Sequence, residues 1–374
     1  MRRSVDGGGS WGPIVVVADY IGDGGVGTNT SANPDRRVGN PSPLVDATTG
    51  RVFVLFAVEN AYAFVTHSDD EGGTWSGRRT LGPSCSWPPH FTECKESPLC
   101  CLFGPGVGGG AQVASSGRLV ALSERQREPS PLNRSEYAYS SIPIYSDDGG
   151  TTWSAAAVLP VSDNRTHGLG EPSVASVGGG VGGGNGTTLI MCGRSLGSAQ
   201  SPHGVISSSL SHDGGLTWEE ATPITTIGNG GCQASVVASR DGRYALISSP
   251  VYPYGGARYN ATLFLASAAS GFKVWTKLGV VRPGPAGYSS LARSDATVGV
   301  ATQNGVDRGN RGMSGGGSGV SGGGIGRGGG IGRGTAESSS ESYVLLFEAG
   351  ADGSEGKYAY SDTIRLAWFT VTTT

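Results

Sequence analysis

Short hydrophobic runs of four to six residues recur along the whole chain, and stretches rich in Gly, Ser and Asp separate them. Because the runs are rich in β-branched and aromatic residues, they predict β-strands. No long stretch shows the 3.6-residue period of an amphipathic helix. The predicted strands are Arg51–Phe56, Arg118–Leu122, Thr188–Cys192, Arg243–Ile247, Thr262–Leu265, Tyr343–Phe347 and Ile364–Phe369. The pattern therefore predicts an all-β protein.

Between these runs, the pattern Ser-x-Asp-x-Gly-x-(Ser/Thr)-Trp occurs four times at intervals of about 60–80 residues. We predict a turn in each copy, in which the aspartate accepts hydrogen bonds from backbone amides and the glycine supplies a backbone angle that other residues resist. The tryptophan is expected to pack under the turn. The copies are Ser4–Trp11, Ser68–Trp75, Ser146–Trp153 and Ser211–Trp218, with a degenerate fifth, Ser267–Trp275, that lacks the aspartate. One structural turn for each group of short strands is typical of a β-propeller.

The composition narrows the class of protein further. With 66 glycines among 374 residues, a helix bundle is disfavoured. The net charge is −3 and no basic cluster is present, so we expect no nucleic-acid partner. No apolar run reaches the roughly 18 residues of a membrane helix. We therefore expect one domain spanning residues 1–374, without a membrane segment.

Some segments stand outside the strand pattern. Sixteen glycines lie between Gly305 and Gly334 and predict a disordered insertion at about residues 303–340, and Gly178–Gly186 predicts a shorter one. The segment Cys85–Cys101 carries four cysteines whose spacing does not suit zinc, which leaves a disulfide-pinned loop or unpaired thiols.

Five Asn-x-Ser/Thr sequons favour a secreted, lysosomal or endomembrane location, although the N-terminus has no features of a signal peptide. These sequons begin at Asn29, Asn133, Asn164, Asn185 and Asn260.

The repeats and the sequences between them resemble the sialidase (neuraminidase) family, whose aspartate-box repeats lie in a six-bladed β-propeller. The matching segments, in the family's order, are Gly39–Asp46, Gly104–Gln112, Gly170–Val174, Gly231–Ser235, Arg258–Leu263, Pro285–Leu291 and Leu345–Gly350. The resemblance covers essentially the whole chain apart from the insertions. It implies an all-β, six-bladed β-propeller with an incomplete first blade, and an exo-α-sialidase activity that releases terminal sialic acids from glycoconjugates.

The resemblance also implies which residues would carry out a retaining hydrolysis. Tyr288 matches the family's nucleophile and Glu171 matches the glutamate that accepts its proton. A neutral tyrosine suits a substrate with a carboxylate on its anomeric carbon, because a carboxylate nucleophile would be repelled by that charge. Sialidases are known exceptions to the two-carboxylate scheme of glycosidases.

Four further residues are implied as substrate contacts. Arg194 and Arg258 match two of the arginines that would pair with the substrate carboxylate through their planar guanidinium groups. Glu348 matches the glutamate that would orient a third arginine, and Gln112 would border the substrate. The implied mechanism needs no cofactor and no metal, and the implied partners are sialylated glycans.

Two parts of the family pattern have no match ahead of the first repeat. The family's first substrate arginine lies in an Arg-Ile-Pro segment, and the acid/base aspartate follows it, upstream of a repeat that here begins at Ser4. We expect either that the chain is a fragment of a longer protein or that it is a naturally inactive propeller. In both cases we expect an unpaired strand edge and an activity far below that of a form carrying these segments.

Two other functions stay open at this stage. The chain could be a non-catalytic propeller that binds acidic glycans or proteins. Its substrate could also be a related acidic sugar, such as a deaminated sialic acid or a shorter ulosonic acid, because no readable signature marks the pocket for the N-acyl group.

Overall fold

The computed structural model describes thirteen stretches of the chain, and the structural statements below refer to these stretches. They are residues 1–18, 38–58, 62–82, 104–106, 108–126, 139–160, 169–178, 186–195, 205–228, 232–251, 258–294, 339–350 and 363–373. The cysteine-rich segment and most of the predicted Gly-rich insertion lie outside them, although Ser339 and Ser340 already belong to a strand.

The described residues form β-strands and one three-residue 3-10 helix, Ala268–Ser270. The strands of the first half are β1 (Val38–Val45), β2 (Val52–Val58), β3 (Tyr62–Ser68), β4 (Arg79–Thr80), β5 (Gly104–Pro105), β6 (Ala111–Gln112), β7 (Leu119–Gln126), β8 (Tyr139–Ser146) and β9 (Ser154–Ala155). Those of the second half are β10 (Gly170–Ser176), β11 (Leu189–Ser195), β12 (Val205–Ser211), β13 (Thr222–Gly228), β14 (Ser235–Ala238), β15 (Tyr244–Pro250), β16 (Tyr259–Ser267), β17 (Thr276–Ser294), β18 (Ser339–Ala349) and β19 (Thr363–Thr373). The all-β prediction is confirmed, and each of the seven predicted runs falls on one of these strands.

The strands form antiparallel sheets in which chain neighbours pair, as in the blades of a propeller. Their orders are β1-β2-β3-β4, then β5-β7-β8-β9 with β6 also on β7, then β10-β11-β12-β13, and finally β14-β15-β16-β17-β18-β19. The described strands therefore give four sheets, and the six-bladed prediction is not confirmed. One reason is that β17 is 19 residues long. Its first part pairs with β16 and its second part, from Ala286, pairs with β18, so two groups of strands join into one sheet.

The hydrophobic core lies between successive sheets. Phe53 and Leu55 of the first sheet pack with Ile142 and Ile144 of the second. Equivalent clusters join the second sheet to the third and the third to the fourth. Burial of apolar side chains between sheets stabilises the arrangement by roughly 1.5–3 kcal/mol for each large side chain.

The repeated turns have the predicted hydrogen bonds in all four complete copies. In the third copy, Asp148 accepts hydrogen bonds from the hydroxyl of Ser146 (2.8 Å) and from the amide and hydroxyl of Thr152 (2.8 and 2.6 Å). Trp153 lies in the core between the first two sheets, where it is 7% exposed. Trp11 of the first copy is different, since 46% of it is exposed. The hydrogen bonds from Thr152 and Ser146 lower the pKa of the Asp148 carboxyl to about 2.

Each turn also fits closely against the preceding part of the propeller. A Cβ on Gly150 of the third turn would lie 2.3 Å from the ring of Phe53, and one on Gly215 of the fourth turn would lie 3.1 Å from Val120. At the first turn, a Cβ on Gly8 would lie 2.4 Å from the side chain of Leu366 in β19. The first turn thus packs against the last strand. Residues 1–18 form no strand, and among the described strands β19 pairs only with β18.

Candidate active site

Two of the predicted site residues lie where a strand ladder is interrupted. Glu171 is near the start of β10, and the register between β10 and β11 shifts between Gly170 and Ser173. Tyr288 lies in β17, where the register with β18 shifts between Ala286 and Ser289. Such β-bulges turn a side chain away from the regular alternation of a strand. The irregularities aim Glu171 and Tyr288 towards each other from different sheets.

The centre of the site is a contact among Tyr288, Glu171 and Arg194. The hydroxyl of Tyr288 donates a hydrogen bond to Oε1 of Glu171. Nη2 of Arg194, in β11, lies 3.0 Å from the same oxygen. Glu171 is 8% exposed, and its Oε2 is buried without a hydrogen-bond partner among the described residues. Burial, followed by the negative charge of Glu171, raises the pKa of the Tyr288 phenol above its ordinary value.

Arg258 and Glu348 hold Tyr288 from two other sides. The guanidinium carbon of Arg258 lies 5.3 Å from the centre of the Tyr288 ring, within the range of a cation–π contact. Oε2 of Glu348, in β18, accepts a hydrogen bond of 3.1 Å from the backbone amide of Tyr288. The resemblance predicted that Glu348 orients an arginine. In the structure this carboxylate fixes the backbone of Tyr288.

Gln112 does not join this cluster. Its Oε1 accepts a hydrogen bond from the amide of Ala47 (2.8 Å), and its Nε2 donates to Asp46 (2.7 Å) and to the carbonyl of Gly117 (3.1 Å). Gln112 pairs with Leu119, at the end of β7 that lies opposite Ser146 of the third turn. The structure thus gives its side chain contacts that tie together two hairpin turns, and we leave Gln112 out of the proposed substrate site.

Three residues beside the cluster were not assigned a role from the sequence. Glu124 of β7 is 4% exposed and accepts a hydrogen bond of 3.0 Å from the amide of Glu171. Gln233 is 1% exposed, and its Oε1 accepts one of 3.0 Å from the amide of Ser289, next to Tyr288. Cys232 is fully buried, which raises the pKa of its thiol to about 12. For Glu124, the only signal in the sequence was a charged residue two positions after the predicted strand Arg118–Leu122.

The cluster suits two chemical tasks: nucleophilic attack by a tyrosine that is paired with a base, and binding of an anionic ligand by two arginines. Burial raises the pKa of the Glu124 carboxyl to about 7, whereas Glu171 is paired with Arg194, so the two neighbouring acids differ in their surroundings. A tyrosine hydroxyl bonded to a carboxylate forms a nucleophile and its base. Arg194 and Arg258 add two positive charges that suit an anionic ligand. The part of the chain that the structure describes contains no group of three or more His, Cys, Asp or Glu side chains that could hold a metal ion.

The same described residues contain no helix that is long and apolar enough to cross a membrane. The first three sequons and Asn185 of the fourth lie outside the described residues, whereas the fifth sequon lies within them. The side-chain oxygen of Asn260 accepts a hydrogen bond of 3.1 Å from the amide of Gly284. This sequon side chain therefore takes part in the fold beside the site.

Comparison with known proteins gives matches of sequence and of fold. A family described as a BNR repeat-like domain matches residues 1–300. The sialidase of Paraclostridium sordellii is 31% identical over 210 residues, which are 54% of this chain and 45% of that protein. The sialidase of Micromonospora viridifaciens is 25% identical over 341 residues, covering 81% of this chain and 44% of that protein. The chain therefore spans about half the length of the curated relatives it matches.

Solved structures are similar in fold over almost the entire chain. The leech intramolecular trans-sialidase matches with a TM-score of 0.58 and 16% identity, covering 98% of this chain and 62% of that one. The intramolecular trans-sialidase of Ruminococcus gnavus matches with a TM-score of 0.56 and 17% identity, covering 98% and 86%. At these identities the likeness is one of fold.

Proposed function

Because the chain belongs to the BNR repeat-like domain family and is a sialidase-family protein, we propose that it hydrolyses the bond to a terminal sialic acid on glycans. The observation that carries this proposal is the contact of the Tyr288 hydroxyl with Glu171, with Arg194 on the same carboxylate oxygen. In a retaining reaction, the phenol oxygen of Tyr288 bonds to the anomeric carbon while the bond from that carbon to the leaving oxygen breaks. The phenol proton passes to Glu171.

The second half of the reaction restores the enzyme. Water attacks the anomeric carbon and its proton passes through solvent to the oxyanion released in the first half, the bond to Tyr288 breaks, and the proton held by Glu171 returns to the phenol oxygen. Because burial and the charge of Glu171 raise the pKa of Tyr288, a free phenolate is disfavoured at neutral pH. Transfer of the proton to Glu171 during attack avoids that state.

The arginines supply the affinity for an acidic sugar. The carboxylate on the anomeric carbon would pair with Arg194 and Arg258, which already face the two reacting residues. When the sugar carboxylate arrives, Arg194 would share its donors between this group and Glu171. This pairing would bring the anomeric carbon beside the phenol oxygen.

The test uses two sialosides that differ in how much acid their leaving group needs. An aryl sialoside releases a stable phenolate, whereas sialyllactose releases an alkoxide that must be protonated. We expect the purified chain to hydrolyse the aryl compound, and Tyr288→Phe to reduce its kcat at least about 10³-fold. Tyr244→Phe, a half-buried tyrosine beside the Ser239–Tyr244 turn, is the matched control and should keep the rate of the unchanged chain.

The binding-protein alternative gives a different outcome in the same experiment. If the chain hydrolyses neither compound but binds sialyllactose, and Arg194→Ala abolishes binding, it is an acidic-glycan binder. Arg243→Ala is the control for charge, because Arg243 is exposed and pairs with Asp241. Equal hydrolysis by the Tyr288→Phe variant would refute the proposed nucleophile.

A further inference from the structure

Glu124 is a buried carboxyl group to which the proposed chemistry assigns no task. It lies in β7 of the second sheet and is 4% exposed. Its Oε2 accepts a hydrogen bond of 3.0 Å from the backbone amide of Glu171, which belongs to the third sheet. Buried acids are rare unless they are paired or hydrogen-bonded. The hydrogen bond from the Glu171 amide therefore has to offset the free-energy cost of burying the Glu124 carboxyl group.

The amide that Glu124 holds belongs to a residue with an unfavourable backbone. Glu171 has a φ of 46°, in the left-handed region that favours glycine. It also precedes Pro172, and residues before proline favour extended backbone. Such a conformation is strained and persists only when its surroundings fix it.

The strand ladder does not provide that support. Pairing between β10 and β11 continues from Gly170 to Ser173 only after a register shift, so Glu171 lies in the interrupted part. A backbone amide buried away from water needs a partner. The carboxyl group of Glu124 takes the place that a neighbouring strand would otherwise fill.

The backbone next to Glu171 leaves room for this contact. A Cβ on Gly170 would lie 3.2 Å from Oε2 of Glu124 and 3.6 Å from Cγ and Nε of Arg194. The absence of a side chain at Gly170 thus lets Glu124 approach this backbone closely, whereas the distances to Arg194 are ordinary van der Waals contacts. The charged groups that face Glu124 among the described residues are Glu171 and Arg194.

We propose that Glu124 is a positioning residue whose carboxyl group holds the amide of Glu171, and so fixes the left-handed backbone that aims Glu171 at Tyr288. The expected change in kcat rests on the proposed function, whereas the expected fixing of the Glu171 backbone does not. Glu124 acts through Glu171 and does not itself touch the reacting atoms. Its role predicts an effect on the rate of the bound complex rather than on affinity.

The test compares Glu124→Ala with Glu124→Gln. The alanine variant loses the acceptor, and we expect kcat on an aryl sialoside to fall about 10–100-fold while KM changes less than about threefold, because displacement of a catalytic group by about 1 Å can cost 10²-fold. The glutamine variant keeps an oxygen in place, and its kcat at pH 5.5 should stay within about threefold of the unchanged chain. Glu220→Ala, an exposed glutamate, is the control.

A second readout does not depend on turnover. Hydrogen exchange at the Glu171 amide should accelerate at least about tenfold in Glu124→Ala and stay unchanged in Glu124→Gln. If the alanine variant does not fold, Glu124→Leu, which also removes the acceptor, takes its place: faster exchange at the Glu171 amide supports the proposal, and unchanged exchange overturns it.

The two readouts separate this inference from the proposed function. A chain without hydrolysis, in which only Glu124→Ala exposes the Glu171 amide, refutes the proposed activity and keeps the positioning role. A hydrolytic chain in which both variants match the unchanged protein in exchange and in kcat refutes the positioning role and keeps the activity.

Discussion

The repeated turns and the candidate active site use carboxylates in opposite ways. In the turn at Asp148, the carboxylate bonds to residues no more than four positions away and lies near water. In the site, the contact of Tyr288 with Glu171 spans 117 positions, and that of Glu171 with Glu124 spans 47. The turns are local structures that can form wherever their pattern occurs, whereas the site exists only when three sheets are assembled.

The same contrast appears in the pKa values. Hydrogen bonds to the ionised form hold the pKa of Asp148 at about 2, whereas burial raises that of Glu124 to about 7. The turn therefore favours the charged state of Asp148, whereas burial opposes the charged state of Glu124. The carboxylate of the turn is satisfied by donors close to it in the sequence, while Glu124 is held in buried surroundings that disfavour its ionised form.

The largest effect is expected when the base of the site is neutralised. Glu171→Gln keeps the size of the side chain but cannot accept the proton of Tyr288, so kcat should fall about 10²–10⁴-fold. Steady-state kinetics with an aryl sialoside measures it. Asp148→Asn, the corresponding change in a turn, should leave kcat within about twofold. An equal loss of activity in both variants would show that site and turn are not independent.

The second prediction concerns how the free energy of unfolding changes with pH because of Glu124. The folded pKa of Glu124 is about 7, above the ordinary 4.5, so the folded state binds the proton more tightly than the unfolded state. The contribution of this group to the free energy of unfolding is complete below pH 4.5 and is lost as the pH rises through 7. The loss amounts to roughly 3 kcal/mol. Urea unfolding of Glu124→Gln should show a smaller decline between pH 5 and 8 than the unchanged chain. Identical pH profiles would contradict the raised pKa.

The local part of the fold could be predicted from the sequence, and the long-range part only in fragments. The turn at Ser146–Trp153 was predictable because its hydrogen bonds join residues within one short pattern. Tyr288 and Glu171 were assigned through a family resemblance, and the structure brings them together. Glu124 had no such signal, since its partner is the backbone of a residue in another sheet.

Sheet pairing also limited the prediction. The strand β12 contains four serines among seven residues and has no hydrophobic run, yet it lies inside the third sheet. Three of these serines, Ser207, Ser209 and Ser211, are nevertheless buried. The length of β17 could not be read either, because its middle contains two prolines and two glycines within the segment Arg282–Gly287, which usually indicate a loop.

A third prediction tests whether the turns matter only locally. Gly149 and Gly150 both have left-handed backbone, with φ of 65° and 81°. A Cβ on Gly150 would lie 2.3 Å from Phe53, whereas one on Gly149 would meet nothing within 4 Å. Gly149→Ala should cost about 1 kcal/mol of strain. Gly150→Ala should cost about 1–3 kcal/mol more because it also displaces a buried ring. Urea unfolding of the two variants measures this difference in the free energy of unfolding. Equal losses would mean that the turn at Gly150 does not pack closely against Phe53.

The smallest effect is expected from two adjacent aspartates of one turn. Asp148 bonds to Ser146 and twice to Thr152, whereas Asp147 forms an ion pair with Arg118 and its side chain is 53% exposed. Asp148→Ala should lower the free energy of unfolding by about 1–2 kcal/mol, because it leaves a turn amide and two hydroxyls without their acceptor. Asp147→Ala should lower it by less than about 1 kcal/mol, as is usual for exposed ion pairs. The thermal midpoints of the two variants should therefore differ, and raising the salt concentration should reduce only the effect at Asp147. If Asp147 proved the more important, charge pairing between neighbouring strands rather than local hydrogen bonding would maintain the turns.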